Sequence, residues 1–341
     1  MRAASESDRA RPCCTVAPMR LVLHPLFDFS ETLASRALLA NGVGPGGRIA
    51  SLVGEYLPGE PLPPDATFIR GGPSEPLTFA TAAIFWDGAG TAVRELPLEK
   101  VRVRYPFVQP LPDGGLLVAG ARVAAGEEPN AFVVDPTGKL TRRIMFGDGI
   151  EHIQVDLDGK AWVGYFDEGI FGNLGWGNPG GPESIGSTGL NRFDLSTGNI
   201  EWTFKPPPGA GSMADCYALN VADDEVWVYY YTDFDLIRID RDGSMRRWAT
   251  GWSGGRAIAT DGTRAVLIGS YGDPTSASVR RFSEDGLIDP QPVVLELSDG
   301  RSTPGQVVAR GDRLYAADGP LWFAGSIGDI SDEPRSAGSP P

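Results

Sequence analysis

Short apolar stretches that run into small or aromatic residues recur along this chain. They read Leu52-Val53-Gly54-Glu55, Leu117-Val118-Ala119-Gly120, Trp162-Val163-Gly164-Tyr165, Trp227-Val228-Tyr229-Tyr230, Leu267-Ile268-Gly269-Ser270 and Leu314-Tyr315-Ala316-Ala317. Their second positions are spaced 65, 45, 65, 40 and 47 residues apart. A recurrence of about 40–50 residues is the size of a four-stranded propeller blade.

Turn chemistry supports the same unit. Asp113-Gly114, Asp158-Gly159 and Asp261-Gly262 precede the phrase, and Asp-Gly suits the positive φ of a tight hairpin turn. A second turn follows it, as in Asp135-x-x-Gly138, Asp194-x-x-x-Gly198 and Asp240-x-x-Gly243. Leu236-Ile237-Arg238-Ile239 leads into such a turn, and the more polar Lys139-Leu140-Thr141-Arg142-Arg143 leads out of one. Each unit therefore predicts two hairpins, with an apolar inner pair of strands and an amphipathic outer pair, as a sheet buried between two others requires.

The last unit stops at Leu321-Trp322-Phe323-Ala324 without a fourth strand, while Arg20-Leu21-Val22-Leu23 is spare at the other end. The expected fold is all-β: a single propeller of six four-stranded blades over residues 19–328, closed by the Leu21–Leu23 segment pairing with Leu321–Ala324. Closure removes an exposed sheet edge. Residues 1–18 and 329–341 are expected to be disordered, with Met1 or Met19 as the true start. Seven blades are the alternative, with extra strands near Thr67–Arg70 or in the 171–189 insertion.

Composition narrows the function. Acidic residues number 44 and basic residues 30, a formal charge of −14. Such a surface repels phosphate backbones, so nucleic acid is not an expected partner. The densest basic cluster, Lys100, Arg102 and Arg104, reads as a solvated outer strand. No apolar run approaches the roughly 20 residues that span a bilayer, so no membrane partner is expected. Cys13, Cys14 and Cys216 form no framework of disulfide pairs, which points to a cytoplasmic location.

Candidate chemistry follows the recurring phrase, where chain should enter loops on one propeller face. Tyr165, Asp167 and Glu168 follow it in the third unit, Asp233 in the fourth, and Tyr271 and Asp273 in the fifth. Arg256 enters the fifth unit from that face. The long glycine-rich insertion carrying Trp176 is expected to lie over these residues, as long loops in compact domains often bind or cover ligands. His152 is placed there as a general base or a structural histidine. Convergent carboxylates with aromatic walls suit a divalent cation such as calcium or magnesium, a sugar or a cationic ligand. No phosphate loop or multi-histidine zinc set is present.

The stretch Ile153-x-x-Asp156-x-x-Gly159-x-x-Trp162-Val163-Gly164, followed by Gly169-Ile170, resembles the propeller repeat of two-component regulator sensors and a blade of streptogramin lyase-like propellers. The strong match covers one unit of the chain. The lyase resemblance implies a His/Glu constellation with a divalent metal, for which His152 is the histidine at hand. Similarity to calcium-dependent lactonase-like propellers would use Asn220 and Asp273. The expected function is a soluble binding or scaffold propeller, without a cofactor, that takes a small molecule or protein at one mouth of the channel. A metal-assisted lyase or hydrolase is the alternative.

Overall fold

The computed structural model describes residues 18–33, 36–56, 78–86, 93–284, 286–303 and 306–331. After the N-terminal β1 (Met19–Asp28), the strands pair in chain order into antiparallel groups of four. The first group is β2 (Ala37–Val43), β3 (Ile49–Tyr56), β4 (Thr78–Trp86) and β5 (Val93–Val103). The second is β6 (Pro106–Pro110), β7 (Leu116–Gly120), β8 (Ala131–Val134) and β9 (Leu140–Ile144). The third is β10 (Ile150–Val155), β11 (Lys160–Tyr165), β12 (Leu190–Asp194) and β13 (Ile200–Thr203). The fourth is β14 (Asp215–Val221), β15 (Glu225–Tyr231), β16 (Asp235–Asp240) and β17 (Met245–Ala249). The fifth is β18 (Ala257–Thr260), β19 (Arg264–Ile268), β20 (Ala277–Phe282) and β21 (Leu287–Leu297). Finally β22 (Val307–Arg310), β23 (Arg313–Asp318) and β24 (Leu321–Ser326) take β1 as their fourth strand.

This is a β-propeller, and the recurring phrases fall in or at the end of the second strand of each group. Of the two places that a further blade could occupy, 67–70 lies outside the described residues, and 171–189 contains no strand. Burial follows the sequence pattern. Every residue of β7 is buried, whereas the outer strand β9 exposes Thr141, Arg142 and Arg143. Turns form where Asp-Gly predicts them: Gly159 has φ +72°, and the Asp156 carboxylate accepts from the backbone N–H groups of Asp158 and Lys160.

Closure differs in register from expectation. It is His24–Asp28 that runs antiparallel to Leu321–Ala324. Met19–Leu23 instead runs parallel to Val293–Leu297 of β21. Ten residues of strand reach about 33 Å, enough to serve two neighbouring groups in turn, and the register shifts between Pro25 and Phe27 as β1 passes from one to the other. Leu21 and Leu23 are completely buried, each a contribution of about 1.5–3 kcal/mol. The fold also extends past residue 328, because Arg20 and Ser331 exchange backbone hydrogen bonds at 3.0 and 3.1 Å.

The first strands of the groups lie side by side around the axis. At the mouth where they end, the Arg310 guanidinium is buried across the channel. Its Nε donates to Val43 O at 3.0 Å, Nη1 to Val155 O at 2.7 Å, and Nη2 to Gln109 Oε1 at 2.8 Å. Gln154 Nε2 donates to Leu219 O and Ala309 O, each at 3.1 Å, and its Oε1 accepts from Val221 N. Asn220 Nδ2 donates to Ile258 O and Gly311 O, each at 2.8 Å. Each of these six inner strands is thereby tied to a partner on the far side or alongside.

Candidate functional site

The opposite mouth, where the inner strands begin, is built differently. Cross-strand register places Ile150 opposite Tyr165, Asp215 opposite Tyr231 and Ala257 opposite Ile268. The starts of β10, β14 and β18 therefore share one face with the loops that follow β11, β15 and β19. That face gathers Glu151, Asp215, Tyr217 and Arg256, together with Asp167, Asp233, Tyr271 and Asp273.

Two β-bulges shape it. The β10–β11 ladder shifts between Ile150 and His152, and the β14–β15 ladder between Cys216 and Ala218. The extra residues are Glu151 and Tyr217, and a bulge re-aims the side chain that it carries. Packing beneath them is tight. Gly164 pairs with His152, and a Cβ on it would stand 2.5 Å from Cys216 Sγ, so only glycine lets these blades meet there.

Glu151 and Asp215 are half-buried, and Arg256 is exposed. No side-chain hydrogen bond or ion pair satisfies any of the three among the described residues. Burial, and then repulsion from Asp215, pushes the Glu151 carboxyl up to about 7, against the pull of Arg256. Burial, and then Asp167, pushes Asp215 up to about 7 as well. Two adjacent carboxyls thus change charge near neutrality. Beneath them, burial lowers His152 to about 4 against the opposing pull of the Tyr217 and Cys216 backbone, which keeps its ring neutral. Burial and the two carboxyls raise the Cys216 thiol well above its ordinary value, so it is not a thiolate nucleophile.

Aromatic rings flank the acids. Tyr217 and Tyr271 share a hydrogen bond of 2.7 Å between their hydroxyls. Phe234 packs edge-on against both, with centroids at 5.2 and 5.6 Å. It does so from a left-handed backbone, φ +57°, a conformation that a bulky residue rarely adopts. Tyr271 is 65% exposed, so its ring is free for contact.

Several candidate residues have other work. Tyr165 is fully buried, and its hydroxyl donates to Phe146 O at 2.6 Å, so it belongs to the core. Trp176 is buried with its indole N–H on Val123 O at 2.9 Å. The insertion docks on the second group at Val123 and Ala125, and Trp176 does not wall the mouth. Glu168 is paired at 2.7 Å with Arg122, which also binds Asp148 at 2.9 Å; this clasp joins the second and third groups. Burial pulls the Arg122 guanidinium down, but its bonds to Asp148 prevail and hold it above its usual range. Asp233 accepts from Gly211 N at 3.2 Å. Asp273 caps its own turn through Thr275 N and Oγ1. Asp167 remains exposed beside Asp215. Asn220 and Asp273 lie at opposite mouths, so they cannot meet on one ion as the lactonase resemblance implies.

Glu151, Asp215 and Tyr217 are the mouth residues that the phrase-based reading passes over. Their signal is positional: each lies at the start of a first strand, which carries no recurring phrase.

The YxzG family model matches residues 208–253, which span the fourth group. No curated protein matches the chain. Among solved structures, the chain is similar to a catalytically inactive virginiamycin B lyase from Staphylococcus aureus with quinupristin, at 13% identity and TM-score 0.46, covering 91% of this chain and 100% of that one. It is similar to the propeller domain of the Trilobed protease from Pyrococcus furiosus, at 12% identity and TM-score 0.44, covering 87% and 84%. It is also similar to XC5397, a gluconolactonase from Xanthomonas campestris, at 16% identity and TM-score 0.37, covering 92% and 99%. At these values no residue correspondence follows, and the propeller assignment stands on the sheet topology itself.

Proposed function

We propose that the chain is a binding propeller that takes a small organic cation at the mouth where the inner strands begin. The observation that carries this reading is the juxtaposition of Glu151 and Asp215 on adjacent inner strands, without a hydrogen-bond or ion-pair partner among the described residues, beside the Tyr217–Tyr271 aromatic wall. Half-buried carboxylates without partners destabilise a fold, and sites that bear such a cost are candidates for ligand recognition. A cation would be held by the two carboxylates and by the faces of the tyrosine rings. Because the carboxyls are partly protonated near pH 7, binding would release protons and tighten as pH rises.

The metal-assisted lyase or hydrolase alternative has less support. Among the described residues, no group of three His, Cys, Asp or Glu side chains is placed to hold a metal ion. No helix among them is long and apolar enough to cross a membrane.

Titration with butylammonium and butylguanidinium, followed by NMR, tests the proposal. The expected result is saturable shifts at Tyr217 and Tyr271 that strengthen from pH 6 to 8 and vanish in the Glu151→Gln/Asp215→Asn double variant. Equal shifts with butanol, or shifts that survive in the double variant, would contradict it.

A further inference from the structure

A second cleft, of about 580 Å³, opens on the fifth group away from the inner strands. It exists because β21 cannot complete its ladder with β20. Asp289 adopts φ +53°, and Pro290 and Pro292 lack the N–H that a strand donates. The register accordingly shifts between Val279 and Arg281, and Arg280 sits at the gap.

Arg280 has an unusual environment for a chain of net charge −14. Its Nη1 donates to Thr250 O at 2.6 Å and its Nε to Ser278 Oγ at 3.3 Å. Its guanidinium lies 5.2 Å from the centroid of the Trp252 ring. Nη2 makes no hydrogen bond, and no carboxylate pairs with the group among the described residues. Burial accordingly holds Arg280 below the usual arginine range, against the opposing pull of Tyr229. Arginine nevertheless stays protonated in proteins, so the cleft holds a half-buried, uncompensated cation. Among the described residues the one acid on the lining, Asp273, is engaged by Thr275.

We propose that this cleft binds a small organic carboxylate, with its carboxylate on Arg280 Nη2 and its body against the apolar wall. Nη2 carries two N–H donors of a charged guanidinium, and charge-assisted hydrogen bonds to a carboxylate are the strong ones. Pro292, Val293 and Leu295, which offer an inorganic anion nothing, line the cleft together with Ser302 and Thr303. The cleft adjoins the face of the acidic mouth, since Asp273 lines it, but takes a ligand of opposite charge.

The probe is benzoate, with benzamide as its neutral counterpart and inorganic phosphate as the purely ionic control. The readout is the Trp252 indole N–H resonance, assigned with Trp252→Phe. Benzoate should shift it saturably, benzamide and phosphate at least tenfold more weakly. Arg280→Gln should weaken benzoate at least tenfold; Arg280→Lys, which keeps a donor for Thr250 O, should fall between. Indistinguishable responses to benzoate and benzamide in the parent protein would overturn the proposal without recourse to any variant. So would phosphate binding as tightly as benzoate, or undiminished benzoate binding in a folded Arg280→Gln protein.

Discussion

At the mouth where the inner strands end, Arg310 is buried and its donors reach carbonyls on three other inner strands and the Gln109 amide. At the mouth where they begin, Glu151 and Asp215 are half-buried and make no side-chain hydrogen bond or ion pair among the described residues. Both regions place charge near the axis of one channel. Burial costs free energy in each, lowering Arg310 to about 9 and raising the two acids to about 7. The first region offsets that cost with hydrogen bonds, using the cation to satisfy carbonyls that would otherwise lack donors, whereas the second has only the pull of Arg256 on Glu151. The difference separates a structural hub from a site left open for something else.

The largest expected effect concerns the ring that both mouths require. Deleting residues 1–28 removes β1 and should abolish cooperative unfolding in circular dichroism melts. Deleting residues 1–18 leaves β1 intact and should not. Equal stability of the two truncations would contradict closure by β1.

Next comes the hub. Arg310→Met orphans several buried acceptors at once and should cost about 3–5 kcal/mol in denaturant unfolding. Gln154→Leu removes donors to Leu219 O and Ala309 O and should cost about 2 kcal/mol. A loss under about 0.5 kcal/mol in either would mean that the hub is not structural.

The open mouth should respond with the opposite sign. At pH 7.5, Glu151→Gln should raise stability by about 1 kcal/mol, because it removes a half-buried carboxylate, while at pH 4 it should change little. The sign follows from proton linkage. A carboxyl raised in the folded state keeps its proton where the unfolded chain has lost it. Stability from Glu151 and Asp215 is therefore full below about pH 4 and falls as pH rises to about 7. His152, lowered to about 4, contributes a rise between about pH 4 and 6.5 and offsets one of the two acids there. The smallest effect is expected for Arg256→Gln. It should leave stability within about 0.5 kcal/mol and tighten butylammonium binding severalfold by removing a competing charge.

The blades were legible in the sequence because the second strand of each is buried on both faces and must repeat its apolar phrase. Leu117-Val118-Ala119 and Trp227-Val228-Tyr229 are readable for that reason alone. The shared face of Asp167, Asp233 and Asp273 followed from the same repeat, since loops after equivalent strands return to one side. The hub was not legible. Arg310 ends a short strand before Gly311 and reads as a solvated charge, and its burial depends on Val43, 267 residues away. Glu151 and Tyr217 were missed because they become prominent only through bulges, which no local residue pattern marks. Tyr165 and Trp176 fit a binding wall by composition, but blade-to-blade packing claims both.

The account rests most directly on the uncompensated pair at the open mouth. Carbon-13 NMR titration of the Glu151 and Asp215 carboxyls measures it. Both should titrate near pH 7, and Asp215→Asn should lower the Glu151 midpoint. Midpoints near 4 for both in the parent protein would mean that the pair is solvated or paired, and that the open mouth holds no stored charge for a ligand to use.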